Sequence, residues 1–302
     1  MLKQSVFIVS ICLSFLLASC GSNKSGSKAE ETTEQSAGEK THTGGCILCE
    51  AAGEVPEDLY QVSDVVSTDE YPPFNKKITS MGIMLLGNDD ISDQFMLNVA
   101  KAIQALINPA GEKIDAELQQ EMIRNMYKYK AAIPLYLGHD HEMSDKNQAI
   151  WRETRKKISA CDIIMEAVPT QINEVVEHIL HHVSDVGLHY TFPDDWGISE
   201  TSRVHIAVQD AIDKGYYKVE QYGDAGDERL NRVLIQEYAY WIIFAVMELR
   251  EPFFPRDAEF AVKTGADLKE KLPMSYDLVV ETIPKVLVRP SDELLIELFG
   301  AD

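Results

Sequence analysis

Acidic and histidine side chains are concentrated in one short stretch of the sequence, residues 174–189. Five of the eight histidines of the chain lie between His178 and His205. Within the stretch, the acids and imidazoles recur every three or four residues, a spacing that places side chains together on one face of a helix. Neutral imidazole and carboxylate are the ordinary protein ligands of divalent transition metals. The stretch therefore predicts a metal site on a helix.

The helical register separates a polar face from an aliphatic one. The polar face carries Glu174, His178, His181, His182 and Asp185. The opposite face is aliphatic and is expected to meet the core, through Val175, Val176, Ile179, Leu180 and Val183. We expect Glu174, His178 and His182 to form a ladder of ligands for Zn²⁺. Glu177 lies beside this ladder on the helix surface and is the candidate general base for a metal-bound water. Glu174 is the base instead if it is not a ligand.

Another ligand is expected from a second helix. Glu237 is an acid within an otherwise apolar and aromatic helix, where a carboxylate is costly unless it is paired or bound to a metal. The alternative for Glu237 is a salt bridge to Arg232 or Arg250. His181 is extra to the ladder, and it either orients a ligand through its other ring nitrogen or is exposed.

Several other polar residues could contribute to the site or belong to the core or surface. Tyr190, Tyr238 or Tyr240 could donate a hydrogen bond to an oxyanion, although buried tyrosines commonly belong to the core. His189 and Tyr190 follow the helix and could line the site. The cluster at residues 139–142 combines two histidines with two acids, and it indicates a polar turn or at most a second site. The alternative for the whole helix is a solvated polar face without a metal.

The elements around this helix predict an α+β fold that is mostly helical, with a few short strands before the histidine helix. Strands are expected at residues 78–86, 131–137 and 162–168. Helices are expected at residues 93–107, 115–128, 145–159, 201–214 and 228–249, and mixed short helices and turns at 256–298. Thr170 opens the histidine helix, and Gly187 is expected to end it.

The start of the chain has the pattern of a targeting segment. Lys3 precedes an apolar run at residues 6–17, which is too short for an ordinary membrane span. The run ends in Leu17-Ala-Ser-Cys20-Gly21, which resembles the lipobox of bacterial lipoproteins. The resemblance implies a signal peptide at residues 1–19, a lipid on Cys20, and a protein attached to the bacterial cell envelope. Gly21, where some lipoproteins have Asp, fits the outer membrane of a cell with two membranes.

The rest of the N-terminal region is expected to be a tether. Residues 20–49 contain little apolar surface with which to offset the entropy of ordering, so the folded domain is placed at 50–302. The formal net charge of −21 argues against nucleic acid and anionic lipid as partners. Cys46 and Cys49 suggest a small local disulfide or no function, since no second CxxC pair exists to complete a zinc site. Cys161 is expected to be a small buried hydrophobe.

The helix also resembles the zincin metallopeptidases, although the string H-E-x-x-H is absent. His178 and His182 have the ligand spacing of that string, but Ile179 stands where the catalytic glutamate belongs. Glu174-x-x-Glu177-His178 is similar to the inverted motif H-x-x-E-H with Glu as its first residue. In the third register, Glu177-His178-x-x-His181 exchanges the first two residues of the zincin string.

Further segments are similar to a group of uncharacterised secreted bacterial and fungal proteins of zincin-like character. They are residues 75–82, 174–187, 189–196, 237–241 and 276–278, together with Pro284. The resemblance implies a zincin-like domain in which E-x-x-x-H-x-x-x-H corresponds to Glu174, His178 and His182, and E-Y-x-Y-W begins at Glu237.

Two functional hypotheses follow from the sequence. The first is a lipid-anchored zinc-dependent hydrolase, a peptidase acting on a protein or peptide, with Zn²⁺ on His178 and His182 plus Glu237, Glu174 or both. The second is a non-catalytic envelope lipoprotein that keeps the zincin architecture as a binding or structural module.

Overall fold

The computed structural model describes residues 54–138, 144–222, 228–254 and 259–300. The fold is α+β and mostly helical, with one small mixed sheet of five strands, as the sequence predicts. The signal peptide, Cys20, the tether, Cys46, Cys49 and the cluster at 139–142 lie outside the described residues.

The five strands lie in the sheet in the order in which they occur in the chain. Their bounds are β1 Val66–Ser67, β2 Lys76–Ser80, β3 Ile83–Gly87, β4 Ala132–Tyr136 and β5 Ile164–Met165. Strands β1, β2 and β3 pair in antiparallel fashion, whereas β3, β4 and β5 are parallel. Every residue of β4 is buried, as expected for the middle of a parallel sheet that is covered on both faces.

The single strand expected at residues 78–86 is wrong, because the chain reverses within it. Met81 and Gly82 both have positive φ angles, 47° and 80°, and they form the tight turn between β2 and β3. A β-carbon on Gly82 would lie 2.3 Å from the carbonyl oxygen of Ile123, so glycine is required there. The apolar run continues through the turn because both strands are buried, and this hides the hairpin from a pattern-based prediction.

The helices before the histidine helix agree with the prediction. They are α1 Asp93–Leu106, α2 Ala116–Lys128 and α3 Asp145–Thr154. Ser92 and Asp115 accept backbone hydrogen bonds and cap α1 and α2. Helix α3 is shorter than expected, since a 3₁₀ turn follows it at Arg155–Lys157. Strand β5 is also shorter than the predicted strand at 162–168.

The histidine helix, α4, spans Gln171–His182 and does not end at Gly187. It continues as a π-helix at Val183–Leu188 and then as a short α-helix, α5, at His189–Thr191. A β-carbon on Gly187 would lie 3.0 Å from Met122 Cγ, so this glycine permits close packing against α2 rather than ending the helix. π-helical turns within α-helices occur often at functional sites.

The remaining helices complete the chain. They are α6 Pro193–Trp196, α7 Arg203–Asp213, α8 Glu228–Val246, α9 Arg250–Phe253, α10 Gly265–Lys271, α11 Pro273–Thr282 and α12 Asp292–Phe299. The predicted helices at 201–214 and 228–249 correspond to α7 and α8, and the C-terminal part is formed by short helices as expected. None of the helices in the described ranges combines the length and apolar character needed to cross a membrane.

The aliphatic face of α4 lies in the main hydrophobic core, as predicted. Its residues are fully buried, namely Val175, Val176, Ile179, Leu180 and Val183. Helix α8 contributes a second apolar surface to the same core and packs against α4. Burial of these two faces fixes the rotation of both helices and thereby decides which polar side chains meet between them.

Candidate metal centre

Three segments bring acids and imidazoles together. Helix α4 supplies Glu177 and His181, helix α8 supplies Glu237, and the segment immediately before β5 supplies Asp162. His178, also on α4, completes the set. The ligand atoms form two groups of three, and His181 belongs to both.

The inner group consists of Glu177, His181 and Glu237. The side chains of His181 and Glu237 are only 1 % and 8 % exposed, and Nε2 of His181 lies 3.5 Å from Oε2 of Glu237. Glu177 and His181 are four residues apart, so both side chains extend from the same face of α4. Buried His and Glu side chains in this arrangement can hold a metal ion.

The orientation of His181 is set by its other ring nitrogen. Nδ1 lies 2.9 Å from Oδ2 of Asp162, the distance of a hydrogen bond that the ring donates to the carboxylate. The amide of Gln236 lies 3.4 Å from the same oxygen. In the neutral ring with its proton on Nδ1, the lone pair is on Nε2, which is buried and makes no hydrogen bond to any described residue. A carboxylate that orients a ligating histidine in this way is usual in metal sites.

The distance between His181 and Glu237 suits two ligands of one cation better than a hydrogen bond. An N–H···O hydrogen bond is usually about 2.9 Å long, and the 3.5 Å between His181 Nε2 and Glu237 Oε2 exceeds this. Two ligands bonded to one zinc ion at about 2.1 Å are separated by about 3.4 Å when the geometry is tetrahedral. The residues present therefore fit a divalent transition metal.

The outer group consists of Asp162, His178 and His181. His178 Nδ1 lies 2.6 Å from the carbonyl oxygen of Glu174 and donates to it, so Nε2 carries the lone pair. That Nε2 is 3.7 Å from Oδ2 of Asp162. The Asp162 and His178 side chains are 27 % and 14 % exposed, so this group lies nearer to solvent than the inner one.

The carboxylates and imidazoles perturb one another strongly. Burial, together with the negative charges of Glu237 and Glu174, raises the pKa of Glu177 to about 8, against the opposing effect of His178 and His181. Burial would lower the pKa of His181, but Glu237 and Asp162 hold it well above its ordinary value. A bound cation would stabilise the charged form of Glu177, because it would supply the positive charge that this cluster of acids lacks.

Glu177 is held in place by neighbouring polar side chains. Asn173, one turn earlier on α4, donates a hydrogen bond of 2.8 Å to Oε2 of Glu177. The buried hydroxyl of Tyr240 donates in turn to Oδ1 of Asn173, at 2.6 Å. The chain from Tyr240 through Asn173 fixes one carboxylate oxygen of Glu177 and leaves the other for a metal.

His182 lies outside both groups, so the expected ladder of Glu174, His178 and His182 requires correction. Its Nδ1 donates to the carbonyl of His178 at 2.8 Å, and its Nε2 accepts from the backbone N–H groups of Cys161 and Asp162. With both ring nitrogens engaged, His182 has no lone pair for a metal. It instead holds the backbone of the segment that carries Asp162. Burial lowers the pKa of His182 to about 4.

Glu174 and Tyr238 do not join the inner group either. Oε1 of Glu174 accepts the backbone N–H of Met165 at 2.9 Å, which ties α4 to β5, although the same oxygen is 3.5 Å from His178 Nδ1. The hydroxyl of Tyr238 is buried against Ser275, where it cannot serve an oxyanion at the cluster. The ring of Tyr190 stacks on that of Tyr129.

The arginines suggested as partners of Glu237 make other contacts. Arg232 donates to the backbone oxygen of Asp185 at 2.6 Å and lies 3.0 Å from its carboxylate, and both side chains are buried. Arg250 donates to the carbonyl oxygens of Phe260 and Val262. The ionisable neighbour of Glu237 is His181.

Three residues of the site were missed from the sequence, namely Asp162, Asn173 and Gln236. Asp162 stands alone before a short strand, and nothing in its spacing links it to a helix that begins nine residues later. Asn173 offered a signal, because it is four residues before Glu177 and therefore on the same helical face. The neighbouring Cys161 is half-buried rather than fully buried.

The arrangement as a whole can bind a divalent metal through nitrogen and oxygen ligands, with a carboxylate behind the histidine. It has the ligand types of a zinc site, and manganese and iron accept the same donors. The sequence matches no protein-family model and no curated protein, and the fold matches no solved structure.

Proposed function

We propose that the protein is a zinc-binding protein whose metal is held by Glu177, His181 and Glu237. The observation that carries this proposal is the buried Nε2 of His181, which makes no hydrogen bond within the described part of the chain and faces Glu237 at 3.5 Å. A buried polar atom without a partner is costly in a folded protein, and a metal ion would satisfy it.

The proposal places this metal centre in the bacterial cell envelope, attached to the membrane through a lipid on Cys20. Support comes from the targeting pattern at residues 1–20. Metabolic labelling with a fatty acid should mark the chain and should fail to mark Cys20→Ser. Labelling of the variant to the same extent would contradict the anchor.

Hydrolysis of a protein or peptide is a second candidate function, favoured by the partly exposed edge of the centre. Asp162 and His178 lie on this edge, where a water molecule could reach a metal. The ligand arrangement is also similar to that of the gluzincins, because a Glu and a His lie one turn apart on α4 and a second Glu comes from α8. For this candidate function we propose a zincin-like fold. The non-catalytic binding module remains the alternative, and its metal would then be structural.

Metal content is the direct test of zinc binding. The chain purified without chelators should contain close to one equivalent of tightly held metal, measured by mass spectrometry for zinc, manganese and iron together. His181→Ala and Glu237→Gln should remove it. Less than about one tenth of an equivalent in the wild-type protein would overturn the proposal.

A matched control is His205→Ala, since His205 lies on α7 and belongs to neither group. This variant should keep the full metal content. Glu177→Gln is informative for the second candidate: as a ligand variant it should lose metal and activity together. Retention of metal with loss of hydrolysis would instead make Glu177 the general base.

A further inference from the structure

We infer that a second divalent cation binds at the outer group, on the solvent side of the first, so that the protein has a two-cation centre. The second cation would be held by Asp162 and His178. This inference rests on the proposed function, since the two positions are linked through the contact between Asp162 and His181.

His178 is oriented to offer a ligand atom. Its Nδ1 donates to the carbonyl of Glu174 within the helix, which leaves the lone pair on Nε2. Nε2 and Oδ2 of Asp162 are 3.7 Å apart, too far for a hydrogen bond and close to the separation of about 3.4 Å expected for two ligands of one zinc ion. The pair has the same relationship as His181 and Glu237 in the inner group.

The two positions are separate because they use different atoms. Asp162 contacts Nδ1 of His181, whereas Glu237 contacts Nε2 of the same ring. A neutral imidazole has one lone pair, so a ring that donates from Nδ1 to Asp162 can bind only the inner cation. Asp162 has four lone-pair sites on two oxygens. It can accept the hydrogen bond from His181 and bind the outer cation together with His178.

The charge of the cluster also favours two cations. Four carboxylates surround the two histidines: those of Asp162, Glu174, Glu177 and Glu237. With neutral imidazoles as ligands and all four carboxylates ionised, one divalent cation would neutralise two of the four negative charges. A second divalent cation would neutralise the rest, in a setting where unpaired buried charge is costly.

The outer cation should bind more weakly than the inner one and should carry water. It has two protein ligands in the inferred arrangement, and Asp162 is 27 % exposed, so water would complete its coordination. We expect its affinity for Zn²⁺ to be at least about tenfold lower. A metal that keeps an open, water-filled position has the form of a catalytic rather than a structural site.

Equilibrium dialysis of the full chain against graded free Zn²⁺, with metal counted by mass spectrometry, tests this inference. The wild-type protein should fill in two steps, to two equivalents. His178→Ala should lose the weaker step alone, Glu237→Gln should lose the tighter one, and His205→Ala should keep both. Circular dichroism of each variant establishes that it is folded. The absorption of bound Co²⁺ should report two environments in the wild-type protein and one in His178→Ala.

The outcomes separate the inference from the proposed function. A wild-type protein that saturates at one equivalent, or a folded His178→Ala variant that still binds two, overturns the two-cation centre and leaves the inner site standing. A wild-type protein that binds no Zn²⁺ overturns the proposed function itself. If His178→Ala does not fold, the two-step filling of the wild-type protein and its two Co²⁺ environments decide the inference.

Discussion

The ring of His181 donates a hydrogen bond from Nδ1 to Oδ2 of Asp162 at 2.9 Å, and this contact directs Nε2 toward Glu237. Nineteen positions separate the two residues in the sequence. The contact joins the segment before β5 to α4 and sets the ring nitrogen that is available to a metal.

Asp162→Asn should weaken metal binding at the inner group without removing any of its ligands. The neutral amide is a poorer acceptor for His181 Nδ1–H, so the ring loses its fixed orientation and part of its basicity. We expect the affinity for Zn²⁺ to fall about 10- to 100-fold. Competition with a chromophoric chelator measures this change. Asp267→Asn, in the pair with Lys271, is the control, and an equal loss there would contradict the role of Asp162.

His182 and His181 should differ sharply when each is replaced by alanine. His182→Ala removes hydrogen bonds to the backbone of residues 161, 162 and 178 from a fully buried site, and we expect a loss of about 2–4 kcal/mol in the free energy of unfolding. Under folding conditions the metal should still be bound. Chemical denaturation and metal analysis together check both parts. A stable His182→Ala variant that binds no metal would show that His182 is a ligand after all.

Metal removal should destabilise the protein. A ligand that binds only the folded state at 100 times its dissociation constant adds about 2.7 kcal/mol. Thermal unfolding should therefore shift to lower temperature in a chelator and return when Zn²⁺ is added. Glu237→Gln, which lacks a ligand of the tighter site, should show a clearly smaller rise in unfolding temperature with Zn²⁺ than the wild-type protein. A wild-type protein insensitive to both treatments would contradict a buried metal centre.

The buried pair of Arg232 and Asp185 should be important for stability rather than for metal ligation. Arg232→Met removes the charge that faces the buried Asp185 carboxylate, and we expect a cost of about 3–5 kcal/mol. The double variant with Asp185→Leu should recover much of that loss, since neither charge remains. Urea denaturation of the two single variants and the double variant gives the coupling. Additive losses would show that the two charges do not interact.

His189 should make stability depend on pH. Burial, together with the charge of Arg232, lowers its pKa to about 4, whereas an unfolded histidine has a pKa of about 6.5. Between these values the unfolded chain binds the proton more strongly. The contribution of neutral His189 to the free energy of unfolding is therefore fully present above pH 6.5. About 3 kcal/mol of it is lost as the pH falls toward 4.

The check is the difference in unfolding free energy between the wild-type protein and His189→Gln at pH 7 and at pH 4.5. The wild-type protein should lose more stability than the variant on acidification, because glutamine does not titrate. Parallel pH curves for the two proteins would assign the acid sensitivity to other groups.

Much of the secondary structure follows from local sequence. The caps at Ser92 and Asp115, the aliphatic face of α4 and the breaks between the early helices are signals carried within a few residues. The hairpin at Met81 and Gly82 and the continuation of the helix through Gly187 were not predictable in this way. Each depends on a contact with α2, which is distant in the sequence.

The sequence by itself determined that one helix carries a concentrated set of acids and imidazoles, and that Glu237 on a second helix is an unusual acid. The tertiary structure alone decided which of them meet. On α4 the pair that meets Glu237 is Glu177 and His181, one position before the pair His178 and His182 that motif spacing favoured. Neighbouring residues on a helix differ by about 100° in direction, so the packing of the aliphatic face selects one pair over the other. The backbone at Cys161 and Asp162 then occupies His182, and Asp162 orients His181.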